Sequence, residues 1–267
     1  MERLATSPAV APGWSERRRR AAQLESRWSF AGEMLRLYGR LLDTQERAFL
    51  ATRTDRPAPV GLARYIVERV MPDVVEDTVA AGPRPLAEAA LARRLAGGLE
   101  DAVDRWLGGE SQSPVEEYLA RAASAPVLEA LGAASAGACR GASEPGGCPR
   151  CGGRPQLSYF AESAELLVTT PRRLSCCRCG DDWIHERMTC PACGERSTDK
   201  LSIHADAERL PHLRADACES CRRYLITVDL RVEPEGVPVV DELGALPLDL
   251  YMQERGFAKI VPNLMGI

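Results

Sequence analysis

Apolar residues recur at helical spacing through the first half of the chain. From about Ser15 to Phe49 the series Leu24, Trp28, Met34, Leu35, Tyr38, Leu41, Leu42 and Phe49 follows one helical face. Leu62, Ile66, Val67 and Val70 repeat the pattern, and Pro72 is placed to end or kink that element, because proline lacks the N–H a helix interior needs. A third stretch, Leu86 to Leu107, puts Leu91, Leu95, Leu99, Val103 and Trp106 on one side. A fourth starts at Ser113-Pro114, a cap followed by a proline suited to the first helical position, and runs through Tyr118 and Leu119. A short apolar stretch comes after Pro126. These stripes predict core packing and carry no chemistry.

From Gly132 to Gly147 the chain turns to Ala, Gly, Ser and Pro, which predicts a boundary or hinge. Beyond it, short β-like runs replace the helical stripes: Leu157–Phe160, Leu166–Thr170, Trp183–Met188 and Tyr224–Leu230. The expected architecture is α+β, a helical N-terminal domain over 1–140 followed by two metal modules, 141–188 and 189–267.

The modules are defined by four C-x-x-C pairs: Cys148/Cys151, Cys176/Cys179, Cys190/Cys193 and Cys218/Cys221. The unit repeats with a period of 42 residues, Cys148 mapping onto Cys190 and Cys176 onto Cys218, which marks one supersecondary unit used twice. Two cysteines three positions apart on a tight turn aim both sulfurs at one ion, and the turn's N–H groups stabilise the thiolates. Two such turns face to face complete a tetrahedral four-sulfur site. Cys148-Pro149-Arg150-Cys151-Gly152 and Cys190-Pro191-Ala192-Cys193-Gly194 supply the turn, with proline presetting φ and glycine accepting a backbone that other residues resist. The duplicated spacing favours tandem pairing, first turn with second and third with fourth; a cross-braced arrangement is the alternative. Cys176 rather than Cys177 falls in the repeat register, and Cys139 has no partner at ligand spacing. His185, His204 and His212 are not needed where eight cysteines already close two sites.

A closed tetrathiolate leaves no position for substrate, so its expected role is structural, worth roughly 10–16 kcal/mol of metal-linked folding where zinc-finger peptides are the guide. Iron and zinc both suit four sulfurs. Trp183 and Tyr224 come after the second and fourth turns at similar offsets and are expected to pack beside the sites.

Composition narrows the function. No HExxH, glycine-rich phosphate loop or Ser/His/Asp grouping is present, and histidine is absent before His185, so the chain reads as a non-enzyme. The net charge of -4, with Lys+Arg 34 offset by Asp+Glu 38, argues against a nucleic-acid coat. The run Arg17-Arg18-Arg19-Arg20 resembles an export signal, but Glu25, Arg27, Glu33 and Arg36 interrupt the segment after it, which has no apolar stretch of the kind export requires. The run is therefore expected to be the solvated start of a helix, in a cytoplasmic protein without membrane insertion, whose clustered thiols bind metal in place of forming disulfides.

The order Cys148-Pro149-x-Cys151-Gly152, Cys176-x-x-Cys179, Trp183-x3-Arg187-x2-Cys190-x-x-Cys193 resembles the FdhE family of formate dehydrogenase accessory proteins. The likeness continues through Arg214-Ala215-Asp216-x-Cys218-x-x-Cys221-x-x-Tyr224-Leu225 to Glu254-Arg255-Gly256-Phe257 and Pro262-Asn263-Leu264. It covers the chain from about Cys148 onward; before that it rests on helical character and length. Arg222-Arg223 departs from the Gly or Lys that family members carry after the last cysteine. The resemblance implies a maturation chaperone that binds the catalytic subunit of a formate dehydrogenase, with rubredoxin-like modules, iron as the metal and the eight cysteines as ligands. Two rival readings stand beside it. One is a rubredoxin-like redox protein. The other is a nucleic-acid-binding zinc ribbon using Arg150, Arg154, Arg172, Arg173 and Arg178, a patch diluted by Glu162, Glu165, Asp181 and Asp182.

Overall fold

The computed structural model describes residues 13–139, 145–161 and 170–266. The helical half is built from α1 (Trp14–Arg27), α2 (Gly32–Asp55), α3 (Leu62–Arg69), α4 (Met71–Ala81), α5 (Arg84–Ala96), α6 (Leu99–Gly108) and α7 (Pro114–Leu131). The C-terminal half contributes β1 (Pro155–Phe160), β2 (Arg172–Cys176), β3 (Asp182–His185), β4 (Leu201–Ala205), β5 (Leu213–Cys218) and β6 (Arg223–Asp229). The tail is made of α8 (Pro238–Asp241), α9 (Leu246–Glu254) and the two-residue β7 (Ala258–Lys259). The fold is thus helical plus sheet, as expected. The predicted run Leu166–Thr170 lies outside the described residues except for Thr170.

Three helical stripes differ in detail from the sequence pattern. The first long stripe is two helices, because the chain turns at Ser29–Ala31 and buries Trp28 between them. The stripe from Leu86 to Leu107 breaks at Gly97 and Gly98, both at positive φ where a side chain is strained, and Leu95 is left 79% exposed. α7, by contrast, runs straight through Pro126. The proline frees the carbonyl four residues earlier, Ala122, and the Gln45 amide from α2 donates to that oxygen at 2.9 Å. A tertiary hydrogen bond thus replaces the missing helical one.

The strands form one sheet in the order β3-β2-β1-β6-β5-β4. Each repeat is an antiparallel meander, β1-β2-β3 and β4-β5-β6. The two join where β1 runs parallel to β6, with Leu157 against Ile226. Cys176 pairs with Pro155 at the start of β1 and Cys218 with Arg223 at the start of β6, so both sets of cysteines gather at the same end of the sheet.

Two apolar cores flank α2. Leu37 and Leu41 join α3, α4, α6 and α7 in one core, which also takes in Cys148, Cys151, Cys176 and Cys179. Leu35, Tyr38 and Leu42 face the other, shared with α1, β1, β5, β6 and the tail. Each fully buried leucine contributes about 1.5–3 kcal/mol, so α2 couples helices to sheet on both sides.

Ion pairs reinforce that coupling. Arg20, 4% exposed at its side chain, donates to Asp241 of α8 at 2.5 Å, and His212 contacts the same carboxylate at 2.8 Å. His212 stacks on Trp28, whose ring lies where a side chain on Gly244 would otherwise stand. Arg17 forks onto Glu129 of α7 and Arg18 reaches Asp43 and Glu46. The arginine run is therefore only partly the solvated helix start expected of it, because Arg20 is a buried tether and Arg17 a half-buried one. Among the described residues no helix is long and apolar enough to cross a membrane.

Candidate metal centres

The first and third C-x-x-C pairs sit on turns closed by the same two hydrogen bonds. Gly152 N–H donates to the Cys148 carbonyl and Cys148 N–H to that of Gly153, at 2.9 and 2.8 Å. Gly194 with Cys190, and Cys190 with Glu195, repeat them at 2.9 and 2.8 Å. The turns place amides against sulfur: those of Ala192 and Cys193 face the Cys190 thiol, and those of Ser220 and Cys221 face Cys218. Such donors favour the thiolate a metal requires.

The residue after each second cysteine must adopt a left-handed conformation. Gly152, Gly180 and Gly194 do so at φ 70, 67 and 79°. The fourth position is Arg222, at φ 56°. Its side chain is put to use: it donates to the Arg255 carbonyl at 2.6 Å and lies over the Phe257 ring at 3.8 Å, holding the tail against the turn.

The sulfurs converge in two groups. In the first, Cys148 and Cys179 are 3.7 Å apart and Cys151 and Cys176 3.4 Å. In the second, Cys190–Cys221 and Cys193–Cys218 are both 3.8 Å. Four sulfurs at 2.3 Å from a tetrahedral centre lie about 3.8 Å apart. All four sulfurs of each group fall within 4.8 Å of one another, so each group can hold one metal ion, iron or zinc. Pairing is tandem, and the cross-braced alternative is not adopted. The first and third turns do touch, because Gly146 packs against the Pro191 backbone so closely that no Cβ would fit.

The groups differ in surroundings. All four cysteines of the first are buried. Gly153 backs onto it so tightly that an added Cβ would stand 2.7 Å from the Cys176 sulfur. In the second, Cys190 and Cys218 are buried, Cys221 is half-buried and Cys193 is exposed. The residue in register with Gly153 is Glu195, which accepts from the Ser220 hydroxyl at 2.6 Å. Sequence reasoning missed the role of Gly153, although its place beside Gly152 was a signal.

The remaining candidates fall outside both groups. Cys177 is buried beside Cys176, and Cys139 is half-buried against Cys151. His204 lies near Tyr251 and Phe257, His185 sits on β3, and His212 is engaged by Asp241. Trp183 packs on the core containing the first group. Tyr224 turns to the other core and donates to Asp249 at 2.8 Å, so it does not face its metal group. The arginines of the nucleic-acid reading are occupied in part: Arg150 pairs with Asp181 at 2.7 Å, while Arg172 and Arg178 are buried.

Fold and site together define a helical protein carrying a tandem of four-cysteine metal modules on one sheet. Residues 188–265 match the family model described as FdhE, C-terminal domain. A Protein FdhE homolog of Aquifex aeolicus is 33% identical over 119 residues, which is 45% of this chain and 41% of that protein. One of Haemophilus influenzae is 36% identical over 112 residues, 42% of this chain and 35% of its own length. The chain thus spans about two fifths of the length of the curated relatives it matches. The crystal structure of the FdhE protein from Pseudomonas aeruginosa superposes with a TM-score of 0.63 at 22% identity, covering 96% of both chains, and shares the fold.

Proposed function

We propose that this protein is a cytoplasmic accessory protein for formate dehydrogenase maturation, one that binds the enzyme's catalytic subunit and performs no turnover of its own. The observation that carries the reading is the pair of tetrathiolate groups at one end of a shared sheet, within a region of FdhE type. On this reading Cys148, Cys151, Cys176 and Cys179 ligate one ion, and Cys190, Cys193, Cys218 and Cys221 ligate the other. A bound ion supplies a cross-link between four thiolates and leaves no vacant position for substrate. Residues 1–140 serve as the helical platform, with 141–188 and 189–267 as the two metal modules. The test is deletion of the gene, followed by assay of formate dehydrogenase and recovery of its catalytic subunit on the tagged chain. Lost activity with co-purification is expected; undiminished activity with no subunit retained overturns the reading.

Exposure of Cys193 favours a second reading, in which the second ion exchanges electrons at the surface as a rubredoxin-like centre does. Purified protein containing zinc alone would remove it; a reversible redox couple from bound iron would support it.

A further inference from the structure

The face of the sheet turned away from the second core holds a cleft of about 200 Å³ beside the second cysteine group. Five arginines line it: Arg172, Arg187, Arg214, Arg223 and Arg231. At its centre the buried Phe160 ring is surrounded by three guanidiniums, Arg187 at 4.8 Å and Arg214 and Arg231 at 5.0 Å each. The ring gathers the three guanidiniums; Arg214 and Arg231 fork onto Asp216 and Asp229, while Arg187 forks onto no carboxylate among the described residues. We propose that this cleft is a docking site for an extended, glutamate- and aspartate-rich segment of a protein partner, lying beside β4 with its carboxylates on the arginines.

Among the described residues the charges do not balance. Asp216 serves two arginines, Arg214 at 2.9 Å and Arg172 at 3.2 Å, and Asp229 serves Arg231 at 2.5 Å. Arg187 bonds the Thr170 carbonyl, and neither it nor Arg223 meets a carboxylate. A divalent ion in the second group would leave that tetrathiolate doubly negative, and among the described residues lining the cleft a positive excess would still remain. None of the five guanidiniums donates to its sulfurs. On the cleft floor Arg172 is 3% exposed, and its terminal nitrogen faces Asp216 at 3.2 Å without hydrogen-bond alignment. A better-aligned acceptor there recovers part of the roughly 1–3 kcal/mol that an unmade buried bond costs.

The surroundings fit a peptide better than a nucleic acid. Among the described residues β4 is the last strand of the sheet, and no strand pairs with its outer edge, the position an extended chain would take. Met188 and Ile203, which line the cleft, are exposed apolar side chains. A polyanion needs a long basic face, whereas this one is confined to a single cleft on a chain of net charge -4.

The test uses the full chain with its metals and fluorescence anisotropy of a short fluorescein-labelled glutamate-rich peptide. Its glutamine counterpart and a single-stranded oligonucleotide serve as competitors. The glutamate peptide should bind with an affinity that falls as salt rises, and its glutamine version should bind roughly tenfold more weakly. Replacing Arg187→Ala and Arg223→Ala together should weaken binding by roughly tenfold or more. If that double variant loses its metals, Arg187→Lys decides, because it keeps the charge but not the fork and should weaken binding about threefold. Equal binding of the glutamine peptide, undiminished binding by the variants, or tighter capture of the oligonucleotide overturns the proposal. The accessory reading supplies only the partner's identity. Peptide binding without rescue of formate dehydrogenase sinks that reading alone; rescue without peptide binding sinks the cleft alone.

Discussion

The two cysteine groups share spacing, turn geometry and strand context, yet one is a piece of the core and the other a piece of the surface. The first lies among apolar side chains from the helices, with all four cysteines buried. The second lies at the rim, with Cys193 exposed and an arginine-lined cleft beside it. Duplication supplied two equal metal modules; packing made them unequal. A site inside the core stabilises the rest of the fold, whereas a site at the rim can present a surface.

The largest expected effect separates them directly. Cys176→Ser should abolish the first ion and, with it, several kcal/mol of folding free energy that the helical core shares. The chain should then fail to melt cooperatively. Cys193→Ser should lose one metal equivalent while the helices still melt as a unit. Metal analysis with circular dichroism melts checks both, and equal damage from the two changes would remove the distinction.

Gly153 sharpens the same comparison. Gly153→Ala drives a methyl group to 2.7 Å from the Cys176 sulfur and 3.2 Å from that of Cys151. The expected cost is about 1–3 kcal/mol, the range for overpacking, with faster release of the first ion to a chelator. Glu195→Ala, at the matching place in the second repeat, should leave chelation kinetics of both ions unchanged.

Much of this was legible in the chain. The period linking Cys148 to Cys190 predicted two tandem sites, and the sulfurs meet as that period requires. The helical stripes predicted the core positions of Leu24, Leu41 and Ile66. What spacing cannot carry is contact between distant elements. Pro126 marked a break on local grounds, and a Gln45 side chain from another helix removed the reason for one. Four consecutive arginines looked alike, yet Arg20 meets Asp241, a residue placed beside it only by folding. The arginine cleft was illegible for the same reason, because β1, β2, β5 and β6 assemble it from separate stretches.

Acid should distinguish the tail behind the second repeat from the core behind the first. Asp249, bonded to Tyr224 and Lys259, has its pKa raised by burial to about 6 despite the nearby lysine. A carboxyl with a folded pKa above its unfolded value of about 3.9 favours the fold when protonated. Its contribution is complete below the unfolded pKa and is lost as pH climbs through about 6. Metal release has the opposite sign, since thiolates take up protons as pH falls. The difference between the native chain and Asp249→Asn isolates the carboxyl. Unfolding free energies from denaturant melts should fall by about 2 kcal/mol less in the variant between about pH 4 and about pH 6. Parallel curves would show that Asp249 ionises normally.

The smallest effect lies at the one turn that departs from its three counterparts. Arg222 holds a left-handed φ of 56° where Gly152, Gly180 and Gly194 stand in the other turns. A non-glycine residue there is strained by about 1 kcal/mol, and the strain persists because the side chain grips the Arg255 carbonyl and the Phe257 ring. Arg222→Ala keeps the strain and loses the grip; Arg222→Gly loses both. Glycine should therefore be more stable than alanine by about 1 kcal/mol, with the native arginine close to the glycine variant. Thermal melts of the three chains, each with its metals, measure the order. Alanine matching glycine would mean that the turn relaxes freely, and that the second module's exposed side is softer than its geometry implies.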